Sequence, residues 1–323
     1  MSQTRTGAVV SIGECMVELA REPDGRFGQA FGGDTFNTAV YLARCGVRVS
    51  YATALGDDPY SGGILDLARA EGVASDLIHI APGRMPGLYL IETNAAGERT
   101  FHYWRDRSPA RDLFDNPLTD LGAEKVATAM RSAPLVVFSG ITLSLYGETA
   151  LDRFAAAVAA AKGAGARIAM DGNYRPRGWV GDRTRARRVM ERFWRLADIA
   201  LPTFDDEVGL WSDANPNATI ARLTSYGIGE IALKQGPDGA LCQTTGGAGD
   251  KGGRVHIAIP VEVVPVDTSA AGDSFNAAYL AARLAGTDQP TAALAGHRLA
   301  GIVIQHRGAI APAVATKSAI SVR

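Results

Sequence analysis

The stretch "VPVDTSAAGDSFNAAYLAARLAG", residues 264–286, sets two acids, Asp267 and Asp273, around a run of the smallest side chains. Upstream it is β-branched and strand-like; downstream Phe275, Ala278, Tyr279 and Ala282 recur on one helical face. The change of period falls on Ser269-Ala270-Ala271-Gly272, where little covers the backbone. The opening N–H groups of a helix lack intrahelical acceptors and carry the positive end of its dipole, so a strand-to-helix turn of this kind reads as an anion site. Small residues would let a phosphate approach the peptide closely. Asp273 falls in the first helical turn beside such an anion, where a carboxylate can take a hydroxyl proton as the nucleophile forms. A plainer reading stays open on this stretch alone: Asp267 or Thr268 caps a helix and Asp273 complements its dipole.

The same alternation runs along the chain. "AVVSIGE", "VRVSYATALG", "LVVFSGI", "RIAMDGN", "DIALPT" and "EIALKQG" read as short, nearly continuous apolar strands, and helical patterns occupy 35–45, 60–71, 122–132, 148–162 and 182–196. Such strands separated by helices predict a parallel sheet covered on both faces, an α/β fold. Two stretches depart from the rhythm. They are residues 15–32, and 87–104, where "GLYLIET", a turn "NAAG" and "ERTFHYW" alternate like an antiparallel hairpin. Together they predict a small sheet off the main body. "TTGGAGDKGG", residues 244–253, reads as a flexible loop between two strands.

Bulk properties narrow the function classes. The 323 residues carry 33 Lys and Arg against 34 Asp and Glu and are 46% hydrophobic, so no global charge calls for nucleic acid or an anionic membrane as partner. No secretory leader or uncharged apolar run of spanning length is legible, and a cytoplasmic location is expected. Cys15, Cys45 and Cys242 are odd in number and widely separated, which suits ordinary thiols rather than a disulfide framework or a zinc site. The five histidines lack metal-ligand spacing, and His297 and His306, on the last helical segment, read as structural. The arginine-rich "RTRARRVMERFWR" reads as a solvated helix face. A nicotinamide-dependent oxidoreductase would also be α/β, but "SIGECMVELA" after the first strand has no GxGxxG, and GxxxxGK[ST] is absent altogether.

A second motif, "FGGDTFNTAVYLARCG", residues 31–46, puts Gly32 and Gly33 before Asp34 and Asn37 at the head of an amphipathic helix. Open backbone and hydrogen-bonding side chains suit a polyhydroxylated ligand, although Asp34 or Thr35 also fits a simple N-cap. In order and separation the two motifs resemble the two signatures of the ribokinase-like (PfkB) carbohydrate kinases. Six stretches resemble in particular the 2-keto-3-deoxygluconate kinase branch of that family: "GECMVEL", "FGGDTFNTAVYLAR", "PGLYLIET", "GERTFHYWR", "DGNYRPRGW" and "IQHRGAI". The resemblance covers almost the whole chain. It implies one kinase domain over 1–323, a three-layer α/β/α sandwich with a mainly parallel central sheet, and a small β-sheet lid formed by about 15–33 and 86–106. Lids of this family often pair between subunits, so a homodimer is a further expectation.

At matching positions the resemblance implies roles. Asp273 is the base, and Ala270, Ala271 and Gly272 the anion hole. Gly33, Asp34, Asn37 and Asp267 are sugar-site residues. Tyr89, Tyr103 and Arg105 cover the ligand from the hairpin, with the planar fork of Arg105 suited to a sugar-acid carboxylate. Asn173 and Arg175 fit the carboxyl-end crevice where open α/β sheets bind ligands and would reach substrate or ATP phosphates. Lys234, Gly236, Asp238 and Gly239 resemble the turn that lines the nucleotide, and Mg²⁺ is the implied companion of ATP. Duller readings remain for the hairpin aromatics as packing, Arg105 as a surface charge and 234–239 as a β-turn. Two positions depart from the family. Ala270 replaces its usual Gly, slightly crowding the backbone, and "LPTFDDE" carries Thr203 and Asp206 where Asn and Glu are common; Asp206 is the candidate to orient a magnesium-bound water. Fructokinase, ribokinase and 2-keto-3-deoxygalactonate kinase activities stay open beside the sugar-acid reading, as does a sugar-binding protein without catalysis.

Overall fold

The computed structural model describes residues 6–22, 24–93, 99–115, 120–246 and 252–320. Its strands, in chain order, are β1 (Val9–Ile12), β2 (Met16–Arg21), β3 (Phe27–Gly32), β4 (Val49–Leu55), β5 (Ile78–Ile80), β6 (Leu88–Thr93) and β7 (Arg99–Trp104). Then follow β8 (Leu135–Ser139), β9 (Arg167–Asp171), β10 (Ile199–Ala200), β11 (Glu230–Lys234), β12 (Ala240–Thr244) and β13 (Gly253–Ile257). The helices are α1 (Asp34–Arg44), α2 (Pro59–Ala70), α3 (Asp120–Ser132), α4 (Gly140–Leu145), α5 (Glu148–Gly163), α6 (Arg183–Trp194), α7 (Phe204–Trp211), α8 (Pro216–Ser225), α9 (Ala271–Leu284), α10 (Gln289–Val303) and α11 (Ala313–Ile320).

Nine strands form the main sheet in the order β13-β12-β11-β10-β9-β8-β1-β4-β5. From β11 to β5 every pairing is parallel, and β12 and β13 extend one edge antiparallel. Each interior strand is apolar on both faces because each is covered twice; all seven residues of β4 and all five of β8 and β11 are buried. One face packs against α3 to α8 through Met130, Phe154, Phe193 and Leu223, with Phe154 meeting Phe138 edge-on at 5.1 Å between centroids. The other packs against α1, α2, α9 and α10 through Phe36, Ile64, Phe275 and Leu299. The expected three layers are present.

The small sheet is also present, in the order β3-β2-β6-β7, and the pairing inside it is mixed. Both hairpins are antiparallel, but β2 joins β6 in parallel, Val17 opposite Leu88. The expected turn "NAAG" lies outside the described residues, as do 247–251 of the expected loop between β12 and β13.

Two expectations need correction. The strand-like segment before Asp267 pairs with no strand: Val266 and Asp267 donate instead to the carbonyl of Ile304 just past α10, and Pro265 lacks the N–H a ladder requires. His306 lies beyond α10 rather than on a helix, while His297, inside α10, is buried against Phe275. The arginine-rich helix presents a solvated face as expected, on which Arg185 and Arg188 pair with Glu148 and Arg192 with Asp152 of the neighbouring α5.

Close backbone approach fixes how α1 leaves the small sheet. A Cβ on Gly33 would sit 2.0 Å from the carbonyl oxygen of Glu14. Both partners are main chain, so neither can swing away. Gly33→Ala is therefore expected to cost about 1–3 kcal/mol, the usual penalty for overpacking, measured as a lower melting temperature; a Tm equal to wild type would show that this crossing can relax.

Candidate active site

A cavity of about 700 Å³ opens at the carboxyl ends of the parallel strands, where an open α/β sheet receives ligands. Its wall takes Asp34 from α1, Ile141 after β8, Asp171, Asn173 and Arg175 from the end of β9 onward, Thr203 after β10, Lys234 at the end of β11, residues 265–273, and Phe101 from β7.

Three carboxylates converge there, Asp171 and Asp273 buried and Asp34 half-buried, and each is held by an asparagine. Asn37 donates its Nδ2 to Asp273 Oδ2 at 2.8 Å, Asn173 to Asp34 Oδ2 at 2.9 Å, and Asn276 to Asp171 Oδ2 at 2.7 Å. Lys234 adds the positive charge, with its Nζ 2.8 Å from Asn276 Oδ1 and 3.3 Å from Asp171 Oδ1. Burial, reinforced by the Asp34 carboxylate, pushes Asp273 up to about 8 against the pull of Asn37 and Lys234. Burial likewise raises Asp34. A carboxyl held so high takes a proton readily, as a general base must.

The helix start is built as expected, with one difference of mechanism. Ala270 caps α9 at φ 56°, in the left-handed region, so the burden of its methyl is conformational, about 1–2 kcal/mol, rather than crowding of the anion hole. Ala271 donates its N–H to Thr268 at 3.3 Å. Gly272 and Asp273 follow in the first turn, where helical geometry supplies no acceptor. Gly272 faces Lys234, whose Nζ would lie 3.6 Å from an added Cβ. Asp267 lines the cavity, yet its carboxylate accepts the N–H groups of Ser269 at 2.7 Å and Gly308 at 2.8 Å, which shapes the loop beneath the helix start.

Tyr89, Tyr103 and Arg105, the hairpin residues expected to cover the ligand, do not border the cavity. Tyr89 is buried and donates its hydroxyl to Glu18, and its ring lies 6.0 Å from that of Tyr103. Arg105 is paired with the buried Glu14 instead of pointing free toward a ligand. Gly33 and Asn37 lie behind the wall, where Asn37 ties α1 to α9. Gly236 (φ 58°), Asp238 and Gly239 (φ 89°) make the tight turn between β11 and β12 and do not border this cavity; only Lys234 of that group does. Asp206 binds Arg175 at 2.7 Å. Sequence reasoning passed over Asp171, Asn276, Phe101 and Glu14. Asn276 carried a signal, since it lies one turn beyond Asp273 on the same helix.

The pfkB family carbohydrate kinase pattern matches residues 7–316. The chain belongs to that family. A 2-dehydro-3-deoxygluconokinase of Dickeya dadantii is 38% identical over 315 residues, 95% of this chain and 97% of the relative. The solved structure of a 2-dehydro-3-deoxygluconokinase from Thermotoga maritima superposes with a TM-score of 0.78 at 22% identity, covering 98% of each chain. That of a putative ribokinase II from E. coli, in complex with ATP and Mg²⁺, gives a TM-score of 0.78 at 21% identity over 98% of this chain and 96% of its own. These two establish a shared ribokinase-like fold.

Two outcomes test this geometry. With Asp273 raised, kcat/KM of the kinase should climb with pH along a one-proton limb near 8, because only the ionised carboxylate takes a proton. Asn37→Ala removes a donor that favours the ionised form and should move that limb upward; a profile flat from about pH 6 to 9 would exclude Asp273 as the titrating base. Arg105→Ala should strip the Glu14 carboxylate of its buried partner and destabilise the fold by about 3–5 kcal/mol, with Glu14→Gln in the same chain restoring most of the loss in urea titrations.

Proposed function

We propose that this kinase transfers the terminal phosphoryl group of ATP to the primary hydroxyl of 2-keto-3-deoxygluconate, the sugar acid also called 2-dehydro-3-deoxygluconate, giving its 6-phosphate. The observation that carries the reading is Asp273. It stands in the first turn of α9, bordering the cavity, beside backbone N–H groups that suit a migrating phosphoryl group. The name borne by relatives 36–38% identical over most of the chain supplies the substrate.

Asn37 engages Asp273 Oδ2, which leaves Oδ1 to accept the hydroxyl proton as the sugar oxygen bonds to phosphorus and the bond to ADP breaks. The N–H groups of Gly272 and Asp273 and the Lys234 ammonium offset the charge on the transferring group. Asp34 and Asn173, bonded to each other, offer an acceptor and a donor to sugar hydroxyls. Phe101, with the small sheet behind it, serves as a lid that keeps water from competing for the phosphoryl group. Asn173, Arg175 and Lys234 face the phosphates, and Gly236, Asp238 and Gly239 the rest of the nucleotide.

Among the described residues no cluster of three or more His, Cys, Asp or Glu forms a metal cage. Mg²⁺ prefers phosphate and water oxygens, and the Asp206 carboxylate would receive a metal-bound water once Arg175, its partner, turned to the phosphates. When bound, the ion would neutralise phosphate charge. No helix among the described residues is long and apolar enough to cross a membrane; a cytoplasmic enzyme, and a homodimer joined through the lid, complete the reading.

A neutral ketose is the second reading, because the guanidinium groups of Arg105 and Arg175 already hold carboxylates. ATP consumption across sugar acids and neutral ketoses decides between them: kcat/KM should favour 2-keto-3-deoxygluconate, and a preference for fructose or ribose would overturn the assignment. With the preferred sugar, Asp273→Asn should lower kcat by about 10²- to 10⁴-fold while KM changes little. The same variant should be no less stable than wild type above pH 8, because the folded state no longer has to ionise a buried acid whose raised value costs stability as pH rises.

A further inference from the structure

The 3-10 turn Pro176–Trp179 directly follows Arg175 on the cavity wall. From that turn Arg177 reaches across to the small sheet and donates its Nη1 to the backbone carbonyl of Phe101 in β7. Among the described residues, Phe101 is the one residue of the small sheet that lines the cavity, and β7 is an edge strand paired only with β6. The bond therefore joins the main body to the free edge of the sheet at the residue that roofs the site. Charge placement points the same way. The guanidinium groups of Arg105, Arg175 and Arg177 all act on the Tyr103 hydroxyl, against the burial that raises it. Arg105 is neutralised by Glu14 and Arg175 by Asp206, whereas among the described residues Arg177 makes no ion pair. Its donors are thus available to a carbonyl.

We propose that Arg177 is a positioning residue that latches β7 over the sugar end of the cavity and so keeps water out while the hydroxyl is aligned. The inference rests on the kinase reading above and adds to it a residue that touches neither reacting group. With the latch released, water reaches the site: its oxygen bonds to the terminal phosphorus, the bond to ADP breaks, and the water's proton passes to Asp273, so ATP is spent without sugar phosphate.

The test compares full-length wild type, Arg177→Ala and Arg177→Lys in two measurements. The first is amide hydrogen exchange over 88–92 and 100–104 without ligands, which needs no substrate. Loss of a hydrogen bond from a charged donor predicts exchange faster by about three- to thirtyfold in these strands for Arg177→Ala, with the main sheet unchanged and part of the protection returned by Lys. The second is steady-state kinetics with the preferred sugar acid. KM should rise by a similar factor, kcat should fall less, and more than one ADP should form per sugar phosphate. Unaltered exchange in β6 and β7 of Arg177→Ala overturns the latch, and so does faster exchange spread evenly through the main sheet, the mark of a general loss of stability. If wild type turns over no sugar acid, the substrate assignment fails while the exchange measurement still decides the latch.

Discussion

Three aspartates held within one buried site form the constraint on which the rest depends. Carboxylates packed this closely repel one another, and burial adds a desolvation cost to every ionised one. The chain answers with three carboxamides and a single ammonium group. An amide donor stabilises a carboxylate without cancelling its charge, so the site remains negative enough for Asp273 to seek a proton. Lysine in all three supporting positions would produce neutral ion pairs and a carboxylate less inclined to bind a proton. The single ammonium belongs to Lys234, beside the helix start at Gly272.

This arrangement explains the architecture around it. Asp171, Asn173 and Lys234 come from carboxyl ends of parallel strands, which the sheet aligns on one edge. Asp273 and Asn276 come from α9, Asp34 and Asn37 from α1, and those two helices pack side by side on the same face. The Asn37–Asp273 bond joins residues 236 positions apart. It makes each motif the completion of the other: Gly33, which lets α1 start against the main chain of Glu14, also determines where Asn37 meets Asp273.

The sequence was most legible where periodicity is strong and local. The parallel strands β1, β4 and β8 to β11, the helices at 35–45 and 148–162 and the helix start at Ala270 to Asp273 follow from apolar spacing and small residues alone, whereas the three-residue β5 gives no such signal. The segment 264–267 looked like a strand because valine recurs there, but Pro265 and the carbonyl of Ile304 took its backbone elsewhere. Pairing was the hidden quantity. Nothing in Arg105 announces that Glu14 will hold it, nor in Tyr89 that Glu18 will, because these partners are 91 and 71 positions away in sequence and meet only when β6 joins β2. Asp171 opens the stretch "DGNYRPRGW", but nothing local marks it, since its place in the site arises from Asn276 and Lys234 converging on it from other elements.

The mixed pairing of the small sheet has a mechanical consequence. Because β2 bonds to β6 in parallel, its two hairpins are welded into one plate, and that plate meets the main body at four chain crossings, near Cys15, Gly33, Gly87 and Arg105. The Glu14–Arg105 pair pins the crossings together, with Gly87 too tightly wedged between both side chains to accept a methyl group. The Arg177–Phe101 bond adds a further attachment part-way along β7, so a push on the plate is shared between the pinned border and the 3-10 turn Pro176–Trp179.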